Sequence, residues 1–83
     1  MNTVNAQELD LKKLRSLHIS IMTHVLRIAI DEVKGDLKKF ELRHFNEILD
    51  LITNRPFGSI VHLPQIEVQK ENNQLIIKTL LIR

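Results

Sequence analysis

Apolar residues recur every three or four positions through the first part of the chain, which is the spacing of a helix that packs along one face. The repeat runs over about residues 9–34 and includes Leu14, Leu17, Ile21, Val25, Ile28 and Ala29. Further apolar side chains widen this face: Met22, Leu26, Ile30 and Val33. We therefore expect one long central helix that contacts more than one neighbouring element or a second copy of the chain.

This helix is expected to end at Gly35. Glycine accepts the left-handed backbone that terminates many helices, and Lys34 complements the negative end of the helix dipole. A second apolar pattern then predicts a helix over about residues 40–54: Phe40, Phe45, Ile48, Leu49, Leu51 and Ile52. Arg55-Pro56 ends it, because proline lacks an N–H group and restricts the residue before it.

The rest of the chain has the pattern of strands. Residues 60–63, between Gly58-Ser59 and Pro64, predict a short first strand. Residues 66–71 and 74–80 predict two more, joined at Asn72-Asn73 because asparagine tolerates the positive φ angles of a tight turn. The resulting register pairs Val68 with Ile77, Ile66 with Thr79, and Glu67 with Lys78.

Together these elements predict an α+β fold, a two-helix hairpin packed with a small antiparallel β-sheet. Residues 1–83 are expected to form a single domain, which buries roughly 60% of the surface of the unfolded chain. Hydrophobic residues are 43% of the chain and charged residues 27%, as in a folded globular protein. Fold class is thus predicted from pattern alone.

Charge and composition narrow the function classes. The net charge of +2 permits a polyanionic partner without requiring one. The chain has no cysteine, which excludes disulfides and thiolate metal sites. Neither a secretory signal nor a run of roughly 18–20 apolar residues is present, so we expect a cytoplasmic protein with no membrane segment.

Independent catalysis is not expected. The four histidines, His18, His24, His44 and His62, lack the close pairing of zinc ligands. The carboxylates accompany neither an identifiable nucleophile nor a glycine-rich phosphate loop. The sequence therefore predicts no enzyme activity, no cofactor and no metal.

A basic cluster is the best candidate for a binding site. It surrounds the loop between the two helices and consists of Lys34, Lys38, Lys39 and Arg43, with Lys12, Lys13 and Arg15 as a possible extension. Such cations neutralise phosphates in nucleic acids, although a merely solvated surface has the same composition. Because tryptophan and tyrosine are absent, any RNA contact is expected to involve phosphate and shape rather than base stacking.

Three motifs, in this order, resemble the accessory domain that follows the ATP-using catalytic domain of tRNA(Ile)-lysidine synthetases. They are residues 25–30 (VLRIAI), 41–45 (ELRHF) and 58–64 (GSIVHLP), and the resemblance covers about residues 17–75. It implies recognition of the tRNA whose anticodon cytidine receives lysine. Arg27 and His44 match family positions, where we expect structural roles, with Arg27 pairing with Asp31.

The chain departs from that family in two places. The catalytic signature, Ser-Gly-Gly-x-Asp-Ser, is missing, and Gln65-Ile66 follows Leu63-Pro64 where the family usually has glycines. Both a fragment of a longer enzyme and a stand-alone protein with a separate catalytic partner fit the first departure. A homodimeric interaction module without nucleic-acid binding remains the alternative, and a winged-helix DNA binder is disfavoured by the apolar, acidic second helix.

Overall fold

The computed structural model describes residues 6–35 and 38–79. Its elements are β1 (Ala6–Asp10), α1 (Leu11–Arg15), α2 (Ile19–Lys34), α3 (Leu42–Asn54), β2 (Ile60–Leu63), β3 (Ile66–Lys70) and β4 (Gln74–Thr79). The four strands form one antiparallel sheet in the order β1-β4-β3-β2. The predicted α+β class is confirmed.

The core lies between one face of the sheet and the helices. Alternate residues of β3 and β4 point to this face, as the period of two in a strand requires. Side chains with no exposed surface come from both layers: Leu26, Ile30, Ile48, Leu51, Ile52, Ile66, Val68, Leu75 and Ile77. The opposite face of the sheet carries mostly polar residues, among them Glu67 and the half-exposed Lys78.

The β3–β4 hairpin has the predicted register, and all three predicted cross-strand pairs are present. The backbone of the turn is different, however, because neither Asn72 nor Asn73 has a positive φ. A positive φ occurs instead in the β2–β3 turn, where Gln65 follows Pro64 with φ of 66°. Glycine adopts such a φ at no steric cost, but this chain has glutamine at the position.

The N-terminal part differs from the predicted continuous helix over residues 9–34. Residues Ala6–Asp10 form strand β1, and the helix is interrupted between Arg15 and Ile19. Asp10 caps α1 by accepting a hydrogen bond from the Lys13 backbone at 3.1 Å. His18 caps α2 in the same way, with Nδ1 accepting from the Ser20 backbone at 3.2 Å. Polar caps therefore divide what the apolar spacing presented as one helix.

The packed face of α2 is also rotated from the predicted one. Met22, Leu26, Ile30 and Val33, which were expected only to widen the stripe, are buried, as is Ala29 of the predicted stripe itself. Ile21 and Ile28, expected at its centre, are 53% and 48% exposed. The interruption before Ile19 resets the phase of the helix, so the spacing from Leu14 and Leu17 does not continue into α2.

The ends of the two long helices follow the sequence signals. Gly35 closes α2 with φ of 97°, and its N–H donates to the Asp31 carbonyl at 2.7 Å. Helix α3 ends at Asn54, before Arg55-Pro56, as predicted. Arg55 folds back onto α3, where its guanidinium bonds Asp50 at 2.9 Å and Glu47 at 3.0 Å. Hydrogen bonds from Asn54 and from Arg55 lower the pKa of the Asp50 carboxyl below its ordinary value of 3.8.

Candidate nucleic-acid interface

The seven predicted contact residues lie in two groups at opposite ends of the sheet. Lys12, Lys13 and Arg15 are on α1, which is tied to the β3–β4 turn by a hydrogen bond from the Leu11 N–H to the Asn73 carbonyl at 3.0 Å. The remaining four, Lys34, Lys38, Lys39 and Arg43, lie around the loop that joins α2 to α3. Strand β3 separates the two ends by roughly 13 Å, four steps of about 3.3 Å. They do not form one continuous cluster.

The α1 group borders a groove of about 390 Å³, called here the α1 groove. Its lining consists of Leu11, Lys12, Arg15, Phe57, Asn72 and Asn73. Lys12 and Arg15 are exposed and three positions apart, so they project from the same side of α1. None of these lining residues is acidic. The groove therefore presents two cations, two amides and an aromatic ring to solvent.

The loop that carries Phe57 at this groove is held by backbone hydrogen bonds. Gly58, with φ of 92°, donates its N–H to the Lys70 carbonyl at 2.6 Å, and the Lys70 N–H donates to the Ser59 carbonyl at 2.9 Å. The Ser59 N–H in turn donates to the Pro56 carbonyl at 3.2 Å. These bonds continue the sheet ladder into the loop and hold the backbone on both sides of Phe57 against strand β3.

Lys70 supports the groove from inside the protein. Its side chain is only 4% exposed, and Nζ donates to the carbonyls of Ile52 at 2.9 Å and Arg55 at 2.6 Å. The same ammonium lies 5.5 Å from the centroid of the Phe57 ring. Burial lowers the pKa of the Lys70 ammonium, and the positive charge of Arg15 lowers it further. Lys70 thus joins the end of α3 to the floor of the groove.

The second basic group is less uniform. Lys38 and Lys39 are exposed, and Lys39 has a positive φ of 70°. Arg43 is also exposed and pairs with Glu41, with Nε 3.2 Å from Oε1. Lys34 differs from the others because its side chain is 9% exposed and Nζ donates to Gln65 Oε1 at 2.8 Å. This contact gives Lys34 a structural role, holding the β2–β3 turn against the end of α2.

Aromatic rings pack beside this second group. The Phe40 ring lies 5.1 Å from His44 and 5.6 Å from Phe45, centroid to centroid. The Arg27 guanidinium lies 5.2 Å from the centroid of the Phe45 ring. Among the ion pairs of the described residues, the expected pair of Arg27 with Asp31 is not present. His44 Nδ1 accepts from the backbone N–H of the residue before α3 at 2.9 Å. Structural roles for Arg27 and His44 agree with these contacts.

A second groove, of about 330 Å³, lies beside β2 and mixes charges. It is lined by Arg43, His44, Glu47, His62 and Leu63. Glu47 is bonded to Arg55, and His62 Nε2 lies 3.4 Å from the Glu67 carboxylate. The described residues contain no group of three or more side chains placed to hold a metal. With carboxylates close to its cations, this groove suits a polyanion less than the α1 groove does.

Sequence reasoning identified the cations of the α1 groove but not Phe57, Asn72 or Asn73 as their neighbours. The sequence pattern assigned Phe57 to no helix or strand and the asparagines only to the turn itself. The available signal was a large aromatic residue between proline and glycine, outside any periodic pattern. A ring in that position has no helix or strand face on which to be buried.

Comparison with known proteins gives one match. The chain is 32% identical over 78 residues to the tRNA(Ile)-lysidine synthase of Caldanaerobacter subterraneus subsp. tengcongensis. The match covers 90% of this chain but only 16% of that protein. No family model matches the chain, and no solved structure matches it. In the described part of the chain, no helix is long and apolar enough to span a membrane. The sequence similarity supports a distant relationship with the tRNA(Ile)-lysidine synthases.

Proposed function

We propose that this chain is a non-catalytic, tRNA-contacting domain that binds the phosphate backbone through its exposed lysines and arginines. The observation that carries the proposal is the similarity of 90% of the chain to a tRNA(Ile)-lysidine synthase. The matched protein has tRNA in its name as the molecule on which it acts. Because almost the whole chain is similar to part of that protein, the simplest role for it is to contact tRNA.

The charge distribution agrees with this role. Six of the seven predicted cations are exposed: Lys12, Lys13, Arg15, Lys38, Lys39 and Arg43. Arg43 pairs with the exposed Glu41. Each lysine or arginine that neutralises a phosphate releases a counterion, so binding should weaken steeply as salt increases. Two separate basic ends also suit an elongated polyanion better than a small one.

At the α1 groove we propose binding without chemistry. The lining contains no carboxylate, histidine or hydroxyl side chain that would act as acid, base or nucleophile. Because the chain corresponds to 16% of the matched synthase, we extend the proposal to cooperation with a separate catalytic domain in the cytoplasm. The homodimer hypothesis has no comparable support from sequence similarity.

A salt-titrated binding assay tests the proposal. A tRNA(Ile) transcript and a non-cognate tRNA would be titrated with the chain from about 50 mM to about 200 mM salt. Variants Lys12→Gln with Arg15→Gln, and Lys38→Gln with Lys39→Gln, address the two ends separately. Lys78→Gln on the open face of the sheet is the matched control, since it removes a lysine that lines neither groove.

The slope of the logarithm of the binding constant against the logarithm of the salt concentration should decrease in magnitude by about two when one double variant removes two phosphate contacts. The control should bind like the unmodified chain. Preference for tRNA(Ile) would connect the domain to lysidine synthesis. Absence of binding at the lowest salt, or equal loss in the control, would overturn the proposal and make the homodimeric module the leading hypothesis.

A further inference from the structure

We infer that the α1 groove binds one unpaired nucleotide of an RNA, with the base stacked on Phe57 and the phosphate between Lys12 and Arg15. The inference rests on the proposed RNA contact and adds the kind of nucleotide that is recognised. It goes against the expectation from composition, which disfavoured base stacking because tryptophan and tyrosine are absent. A single well-placed phenylalanine is sufficient for stacking.

Phe57 is the phenylalanine that the core does not use. Its side chain is 57% exposed, whereas Phe45 is 3% exposed and Phe40 is half-buried. Exposing a large aromatic ring gives up the stability that its burial would provide. Within the groove, its neighbours other than Leu11 are cations and amides. Its surroundings are those of a ring that meets a polar, anionic ligand.

The ring is preorganised. Three backbone hydrogen bonds of 2.6 to 3.2 Å hold the loop that carries it, and the buried Lys70 ammonium contacts the ring from the protein side. A rigid aromatic contact loses little conformational entropy on binding, which favours affinity. The turn that forms the other wall is equally fixed, since the Leu11 N–H holds the Asn73 carbonyl. The groove therefore exists before the ligand arrives.

The chemistry of the walls matches the parts of a nucleotide. Lys12 and Arg15 supply positive charge for a phosphate, and the amides of Asn72 and Asn73 supply both donors and acceptors for a base edge. A volume of about 390 Å³ lies within the range of small-ligand sites. The additional positive charge of the nearby Lys70, which Arg15 already perturbs, raises the local potential further. An anion with a planar ring uses all of these features together.

The nucleotide must be unpaired. In a duplex both faces of each base are stacked on neighbours, so a protein ring reaches a base only where the stack is interrupted. Bulges, loops and strand ends expose such bases, and tRNA contains several of them. Phosphate contacts alone would not distinguish these places from a regular stem. Phe57 would provide that distinction.

Two blunt RNA duplexes of equal length, one with a single bulged adenosine, test the inference. The unmodified chain should prefer the bulged duplex by roughly 5- to 150-fold, the range for one stacked base. Phe57→Leu should abolish this preference while retaining salt-dependent binding of the paired duplex. Leu42→Ala is the control, because Leu42 is 74% exposed at the other end of the molecule. It should leave the preference unchanged.

A measurement without substitution accompanies the variants. In an NMR titration of the unmodified chain, the bulged duplex should shift the amide signals of Phe57, Gly58 and Asn72 more than the paired duplex does. Equal shifts from both duplexes, or a preference that survives Phe57→Leu, would overturn the inference while the proposed tRNA contact stands. Competition by adenosine monophosphate at a similar concentration would also overturn it, in favour of a free-nucleotide site. No binding of either duplex or of tRNA would overturn both.

Discussion

Replacing Lys70 with methionine perturbs the buried contact on which the α1 groove is built. Methionine has a similar length and an unbranched apolar chain, but it lacks the ammonium that donates to the carbonyls of Ile52 and Arg55. These carbonyls lie at the C-terminal end of α3, where no further helical N–H is available to them. The variant therefore isolates the hydrogen bonds from the packing of the side chain.

The magnitude follows from the two carbonyls. Leaving a buried acceptor without its donor costs about 1–3 kcal/mol, and only the Ile52 contact is fully buried. Removing the ammonium also removes the cost of burying a charge, which offsets part of this loss. We expect a net loss of about 2 kcal/mol, or a melting temperature lower by roughly 8–16 °C for a domain of this size. That is a substantial fraction of a total stability of about 4–12 kcal/mol.

The pH dependence supplies a second signature. Because burial lowers the pKa of Lys70 in the folded state, the unfolded state binds this proton more strongly in the window between the folded pKa and 10.5. Stability contributed by this residue therefore rises with pH through that window. The difference in stability between the unmodified chain and Lys70→Met should widen as the pH approaches 10.5.

Urea unfolding followed by far-UV circular dichroism, at neutral pH and near the upper end of that window, measures both effects. Lys78→Met is the matched control, since Lys78 is half-exposed on the open face of the sheet, and it should change stability by no more than about 0.5 kcal/mol. Equal stability of the two variants would refute the structural role of Lys70. A difference that narrows with rising pH would refute the pKa argument.

Three further predictions concern the helices. In urea unfolding, Leu26→Ala should lower the free energy of unfolding by about 2–5 kcal/mol and Ile28→Ala by no more than about 0.5 kcal/mol, because only Leu26 is buried. Similar losses of stability in the two variants would contradict the packing of α2 described above. His44→Ala should lower stability by about 0.5–2 kcal/mol through loss of the α3 cap, and an unchanged thermal melt would contradict that role. Asp50→Asn should be less stable than the unmodified chain above pH 3.8 in urea unfolding. This difference in stability should disappear in acid, as the carboxyl is protonated below its lowered pKa. A difference in stability that does not change with pH would contradict the stabilising role of the Asp50 carboxylate.

The C-terminal hairpin was predictable because its signals are local. Strand alternation, a two-residue turn and cross-strand pairs such as Val68 with Ile77 lie within a few residues of one another. The conformation of each turn was not: positive φ falls on Gln65, where no glycine marks it, rather than on the asparagines. Turn location and turn geometry are separate pieces of information, and only the first follows from composition.

Strand β1 was missed because its pairing partner is distant in the chain. Ala6 pairs with Lys78, and the five residues of the strand contain little apolar periodicity of their own. The division between α1 and α2 was missed because Ser16 and His18 interrupt the helix without glycine or proline. Where a helix is apolar on most sides, as α2 is, spacing alone does not select the buried face.

The α1 groove shows the same division between local and long-range information. Its cations, Lys12 and Arg15, were identifiable from charge, as they are three residues apart on a helix. Phe57 comes from the α3–β2 loop and the asparagines from the β3–β4 turn, so only the folded chain brings them to those cations. Lys34 is the opposite case, since charge suggested a surface contact and folding buried it against Gln65.

The most direct test of the central claim is binding of the chain to a tRNA(Ile) transcript as a function of salt, with and without Lys12→Gln and Arg15→Gln. We expect binding that weakens with salt. The slope of the logarithm of the binding constant against the logarithm of the salt concentration should be smaller in magnitude by about two in the double variant. Binding that is absent at low salt, or that has the same salt dependence in both proteins, would contradict the assignment of the α1 groove to RNA.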